Sequence, residues 1–321
     1  MRAIGHTKDA ASQALPRGAA RAAVRAASVP QPISHRVLAN GLDHHVLEWT
    51  PSGAQLSVAV LLHGFQDGAA SFDGVAPALA AVGLRVFAPD LRGFGQSARV
   101  PLGGYYHFPD YVFDVADLVD HLSPDAPIFL VGHSMGGTVA GLHASTFPGR
   151  VALLALLEGL GPPDFPSSGA VDRLHHWIDG VRRTRAREEK AMSLDEAARR
   201  LRTSHPSVDE AVLRTRASQL TRPVAEGSEQ RVWRFDPLHR TTSPIGFSSS
   251  RWMAHGARIA APTLVVSGGP TGFHPDDEEA RIAVIPHVRR AEIADAGHMM
   301  HWTRPEQLSA LLIDFVRENM V

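Results

Sequence analysis

The 321-residue sequence contains no cysteine, which removes disulfides, thiolate metal sites, thiol nucleophiles and redox switches from consideration. It has no long apolar run either. The longest, Val151 to Leu157, falls far short of the roughly 20 residues that a membrane-spanning helix needs. No charge sign dominates: 32 Lys+Arg stand against 33 Asp+Glu, a net charge of −1, so the basic field required for general nucleic-acid binding is missing. A phosphate-cradling glycine loop is lacking, because Arg92-Gly93-Phe94-Gly95 is not followed by the third glycine and helix of a dinucleotide site. The pairs His44-His45 and His175-His176 have no helical H-E-x-x-H partner, so neither a metal nor an organic cofactor is expected. What remains is a globular chain of ordinary composition, 44% apolar and 20% charged.

Residues 1–32 stand apart. They hold ten alanines, five basic residues and the single acid Asp9, and read as a disordered basic Ala/Arg-rich tail. The segment has no continuous apolar core of a secretory signal, which points to a cytoplasmic protein, with an organelle transit peptide as the alternative. From residue 33 strand-like and helix-like stretches alternate. Ile33–Ala39 and His44–Trp49 form a hairpin around Asn40-Gly41. Strands are expected at Leu56–Leu62, Arg85–Ala88, Pro127–Val131, Val151–Leu157, Pro262–Ser267 and Arg289–Ala294. Helices are expected at Ser71–Val82, Pro109–Leu122, Thr138–Phe147 and Pro305–Val316 from their helical apolar spacing. This alternation predicts a single α/β domain with a mostly parallel sheet covered on both faces. It breaks between residues 162 and 255, where Arg-rich amphipathic patches carry no strong strand and, over residues 165–255, a local charge of +5. The reading is a core made of residues 33–161 and 256–321, interrupted by a helical cap at 162–255.

Three segments carry chemistry. Gly132-His133-Ser134-Met135-Gly136 lies between a buried strand and a helix, where a tight turn holds the Ser134 hydroxyl above the sheet edge and the Met135 N–H at a helix N-terminus. His63-Gly64-Phe65-Gln66-Asp67 follows another strand at the same edge, so the Phe65 N–H is the second candidate oxyanion donor, with His63 ordering the loop. Gly297-His298-Met299-Met300-His301 follows the last strand. A serine hydroxyl needs a base within hydrogen-bond reach, and position favours His298, with His301 as fallback.

These segments, together with Asp90-Leu91-Arg92-Gly93-Phe94-Gly95-Gln96-Ser97, resemble the α/β-hydrolase superfamily in order and spacing from about residue 33 onward. Residues 63–73, Tyr106-His107-Phe108-Pro109-Asp110-Tyr111 and Trp233-Arg234-Phe235-Asp236-Pro237 are similar more narrowly to its serine hydrolase-like branch. The resemblance implies an α/β-hydrolase fold with a cap inserted after the sixth strand. It also implies an acid after the seventh strand in a G-x-x-D pattern, but here that stretch reads Gly268-Gly269-Pro270-Thr271. Some members carry the acid after the sixth strand, where Glu158 stands, 24 residues after Ser134. Glu158 is therefore the favoured acid; Asp276, Asp277 and Asp164 are the rivals.

The expectation is a cofactor-free serine hydrolase acting on a small carboxylic ester, with Ser134 as nucleophile, His298 as base and Glu158 as acid. Candidate pocket residues are His133, Trp177, Trp233 and Phe235. The same apparatus serves amide, lactone or C–C bond hydrolysis and perhydrolysis, and the fold also serves as a non-catalytic binding protein.

Overall fold

A computed structural model describes residues 31–319. The reading of residues 1–32 as a tail falls almost wholly outside them. Ten strands are present among the described residues: β1 (Ile33–Ala39), β2 (Leu42–Trp49), β3 (Ser57–Leu62), β4 (Leu84–Pro89), β5 (Ile128–His133), β6 (Val151–Leu157), β7 (Thr221–Pro223), β8 (Arg231–Trp233), β9 (Thr263–Ser267) and β10 (Val288–Glu292). Eight of them form one sheet in the order β1-β2-β4-β3-β5-β6-β9-β10. β2 pairs antiparallel with both β1 and β4, and every pairing from β4 to β10 is parallel. The order reverses at β3, which lies between β4 and β5, so the loops after β3 and β5 leave the sheet side by side at its C-terminal edge.

The central strands read as continuous apolar runs because both faces are buried. Successive side chains point to opposite faces. Val60, Leu62, Ile128, Leu130, Leu154 and Leu156 join one core, with the helices Phe108–Leu122 and Met135–Thr146. Ala59, Leu61, Phe129, Val131, Leu153 and Ala155 join the other, with Ala76–Ala81 and the final helix Pro305–Asn319.

Two local expectations are corrected. Ser71–Val82 is not one helix: a 3-10 turn at Ala69–Phe72 is followed by the α-helix Ala76–Ala81. The break falls at Asp73-Gly74, where Gly74 meets Pro305 so closely that a Cβ would lie 2.7 Å from the proline ring. The 162–255 segment, expected to carry no strong strand, holds two strands of three residues each, β7 and β8, which pair antiparallel. Its helices are Ala170–Arg185, Leu194–Ser204 and Glu210–Leu220. Ser193 caps the second by accepting from the Glu196 N–H, and Asp209 caps the third by accepting from the Ala211 N–H. The apolar faces of the second and third close over Met299 and Trp302, so this segment rests on the loop that carries His298. The helix Ser249–Gly256 instead covers the sheet, with Trp252 in the first core beside Val139 and Ala140.

His143, on the helix after β5, is buried with neither ring nitrogen hydrogen-bonded. Burial pushes its pKa down from 6.5 to about 4. The unfolded chain therefore binds a proton that the native state refuses between these values, and stability rises with pH across that window. His143→Leu should remove up to about 3 kcal/mol of this acid sensitivity. Urea unfolding at pH 7 and pH 4.5 tests this: the two proteins should diverge in their loss of midpoint on acidification, and parallel losses would contradict the assignment.

Candidate active site

The chain after β5 turns through Ser134, whose φ of 52° lies in the left-handed region that a side chain adopts only under constraint. The constraint is visible on both sides. The Ser134 N–H donates to the Leu157 carbonyl at 2.9 Å, and its own carbonyl accepts the first helical bond from Thr138 at 3.1 Å. Gly136 packs directly on the end of β3, where a Cβ would lie 2.3 Å from the Leu62 carbonyl oxygen. Ser134 Oγ is thereby lifted off the sheet edge.

His298 Nε2 lies 3.0 Å from Ser134 Oγ, and His298 Nδ1 lies 2.7 Å from Glu158 Oε2. With Nδ1–H donating to the carboxylate, Nε2 is free to accept from the hydroxyl. Glu158 ends β6, also at positive φ (44°). Its carboxylate receives two further donors from the loop after β9: the Gly268 N–H at 2.6 Å and the Phe273 N–H at 2.6 Å. Burial alone would raise the Glu158 pKa, but the bonds from His298, Phe273 and Gly268 outweigh it and hold the group below its ordinary 4.5. The loop that lacks an aspartate at Thr271 thus supplies backbone donors to an acid from the neighbouring strand. It also supplies room: a Cβ on Gly272 would sit 1.9 Å from Glu158 Oε1.

The loop after β3 approaches the same turn, with Gly64 packed against the His133 ring and Ser134 Cβ. His63 Nδ1–H donates to the Gly64 carbonyl (2.8 Å), and Nε2 accepts from the Leu91 N–H (2.9 Å), which ties this loop to the end of β4. The Met135 N–H opens the helix after β5 and has no partner within it. Phe65 and Met135 both line the cavity of about 370 Å³ that contains Ser134, Glu158 and His298.

Other expected residues lie elsewhere. His133 is not a pocket residue: it is 1% exposed, and its Nε2–H donates to the His298 carbonyl at 2.7 Å, so it supports the histidine loop from below. Trp177 stands one layer back, edge-on to Tyr105 at 5.4 Å. Trp233 and Phe235 line a different cavity. Among the rival acids, Asp277 bonds Ser249 and Arg281, while Asp164 accepts from the Ser249 N–H at 2.7 Å. Asp276 makes no hydrogen bond to His298 among the described residues. His301 is buried against Asp67 at 2.9 Å.

The cavity wall is largely aromatic, from Tyr105, Tyr106, Phe108, Tyr111 and Phe273, together with His239. These positions were missed, although four of them lie in or beside the Tyr106–Tyr111 motif. His239 is clasped between Phe94 and Tyr106, each ring centroid 3.9 Å away. Burial lowers its pKa to about 3, so it is neutral at pH 7. One group of metal-type ligands exists among the described residues: Asp67, His133 and His301, with donor atoms within 4.8 Å of one another. It escapes a search by sequence spacing because its members come from three separate segments. Asp67 Oδ2 and His301 Nε2 bond each other and His133 Nε2 serves the His298 carbonyl, while Asp67 Oδ1, His133 Nδ1 and His301 Nδ1 are buried without a partner.

A mostly parallel sheet with a serine turn, an imidazole and a carboxylate converging at its C-terminal edge defines an α/β-hydrolase architecture. The sequence matches the alpha/beta hydrolase fold family over residues 59–305, and the chain belongs to that family. It is 25% identical over 282 residues to a serine hydrolase-like protein of Danio rerio, covering 84% of this chain and 83% of that one. It is 25% identical over 324 residues to the bifunctional epoxide hydrolase 2 of Sus scrofa, covering 90% of this chain but only 56% of that protein. Among solved structures, a thioesterase domain from the curacin biosynthetic pathway superposes with a TM-score of 0.76 at 26% identity, covering 88% of this chain and all of that one. No helix among the described residues is long and apolar enough to cross a membrane.

Gly136→Ala should lose about 1–3 kcal/mol of stability, because the added methyl meets backbone rather than a movable side chain. Gly149→Ala, where nothing lies within 4 Å of the new Cβ, is the control and should be near neutral. Equal urea midpoints for the two variants would refute the close packing of the turn on β3.

Proposed function

We propose that the protein is a serine hydrolase that cleaves a small carboxylic ester through an acyl-enzyme. The observation that carries this reading is the unbroken hydrogen-bonded line Glu158–His298–Ser134, at 2.7 and 3.0 Å, opening into one cavity. His298 Nε2 takes the Ser134 proton as Oγ attacks the carbonyl carbon. The resulting oxyanion is met by the Phe65 and Met135 N–H groups, each worth on the order of 3 kcal/mol in the transition state. Collapse expels the alcohol oxygen, which collects the proton from His298. Water then attacks the acyl-enzyme with His298 again as base. Glu158, held ionised by its three donors, keeps Nδ1 protonated and stabilises the imidazolium.

The epoxide hydrolase among the relatives does not redirect this reading. Opening an epoxide through an alkyl-enzyme ester needs a carboxylate nucleophile, and position 134 holds a hydroxyl. The aromatic wall suits an apolar acyl group, and the same steps would serve an acyl thioester, the linkage named for the curacin domain.

A series of p-nitrophenyl esters of graded chain length tests the proposal. Ser134→Ala should abolish turnover and labelling by a fluorophosphonate. Glu158→Gln should lower kcat by about 10³–10⁴ with the fold intact. Gly272→Ala should lower kcat by about 10² by displacing the Glu158 carboxylate. Unlabelled wild-type protein with no turnover of any ester would instead indicate a binding protein on this fold. Full activity in Glu158→Gln would remove Glu158 from the mechanism.

A further inference from the structure

Residues 176–242 line an open cavity of about 520 Å³, larger than the one at Ser134. Five cations line it: Arg183, Arg187, Lys190, Arg200 and Arg240. The two carboxylates on its wall are Glu188 and Glu189, and Glu189 is already engaged by Arg99. Arg200 bonds Glu196 at 2.9 Å. The other four cations have no carboxylate within 4.0 Å among the described residues. Like charges gathered around a concavity repel one another, and an anion placed among them relieves that repulsion. Burial, and then the charge of Arg200, press the Arg240 pKa down.

The cavity also has an aromatic face. Trp233 and Phe235 stack at 5.5 Å, the Arg240 guanidinium lies 4.8 Å over the Phe235 ring, and the Trp233 indole N–H is buried without an acceptor. Thr241 belongs to the walls of both cavities, and its hydroxyl is 2.7 Å from the Tyr105 hydroxyl of the Ser134 site. The two cavities are therefore neighbours that share Thr241.

We propose that the cap cavity is an anion subsite: the ester cleaved at Ser134 carries a carboxylate or phosphate group that sits among Arg183, Arg187 and Arg240. Planar guanidinium groups match either oxyanion through paired N–H donors. As a statement about substrate, this rests on the serine hydrolase reading; as a statement about binding, it does not.

Two measurements separate the two. The first compares kcat/KM at low ionic strength for three esters: p-nitrophenyl hexanoate, the mono-p-nitrophenyl ester of adipic acid, and 4-(hexanoyloxy)phenyl phosphate. At least one anionic ester should be preferred to the neutral one. In Arg183→Gln/Arg187→Gln and in Arg240→Gln the anionic-to-neutral ratio should fall about tenfold. The anionic ester whose ratio falls in the arginine variants identifies carboxylate or phosphate as the natural group. The second is a calorimetric titration of phenyl phosphate into Ser134→Ala protein, where binding should be seen and should be lost in the arginine variants. Hydrolysis with no anionic preference, or phenyl phosphate binding that is absent or unchanged in the arginine variants, overturns the proposal. Arginine-dependent phenyl phosphate binding with no ester cleaved sustains the anion cavity and refutes the hydrolase reading.

Discussion

Close backbone approach at the C-terminal edge of the sheet is the constraint on which the rest of this structure depends. The serine turn lies against the end of β3, the loop after β3 lies against the turn, and the loop after β9 folds around a carboxylate. None of these contacts leaves space for a Cβ. Alternation of apolar residues on two sheet faces builds a stable platform, but the glycines let three separate loops converge within hydrogen-bond reach above it. The strained φ values of Ser134 and Glu158 at that edge are sustained by the surrounding bonds.

Glu158 reaches the imidazole from the end of β6, and the loop after β9 closes around it. Thr271 cannot hold an anion, yet its loop has not lost contact with the site. Gly268 and Phe273 donate their N–H groups, and Gly272 clears the volume the carboxylate occupies. The imidazole therefore finds a charged acceptor that is held by backbone donors of the loop after β9. Beneath it, His133 holds the histidine loop by its carbonyl, and the helices Leu194–Ser204 and Glu210–Leu220 pack on that loop through Met299 and Trp302.

Much of this was legible in the residues. Val151–Leu157 reads directly as a buried strand, and the run from Pro127 into Gly132–Gly136 announces the turn, because strand period and glycine placement are local properties. Glu158 could be singled out because the usual position was filled by Thr271. The pocket wall could not be read in the same way. Trp233 and Phe235 carry the large rings that a pocket would use, but which cavity they face depends on how the insertion folds over the sheet. His133 sits beside Ser134 in sequence but is buried beneath the His298 loop in space, since adjacent residues at a sharp turn diverge. The Asp67–His301 pair spans 234 residues, and no local pattern marks it.

The central claim is that Ser134 attacks a carbonyl whose oxygen turns toward Phe65 and Met135. A crystal structure of the protein treated with an alkyl phosphonate ester tests it most directly. The account requires a bond from phosphorus to Ser134 Oγ, with one phosphoryl oxygen about 3 Å from both backbone nitrogens. Phosphorus on another residue, or a phosphoryl oxygen turned away from both N–H groups, would contradict it.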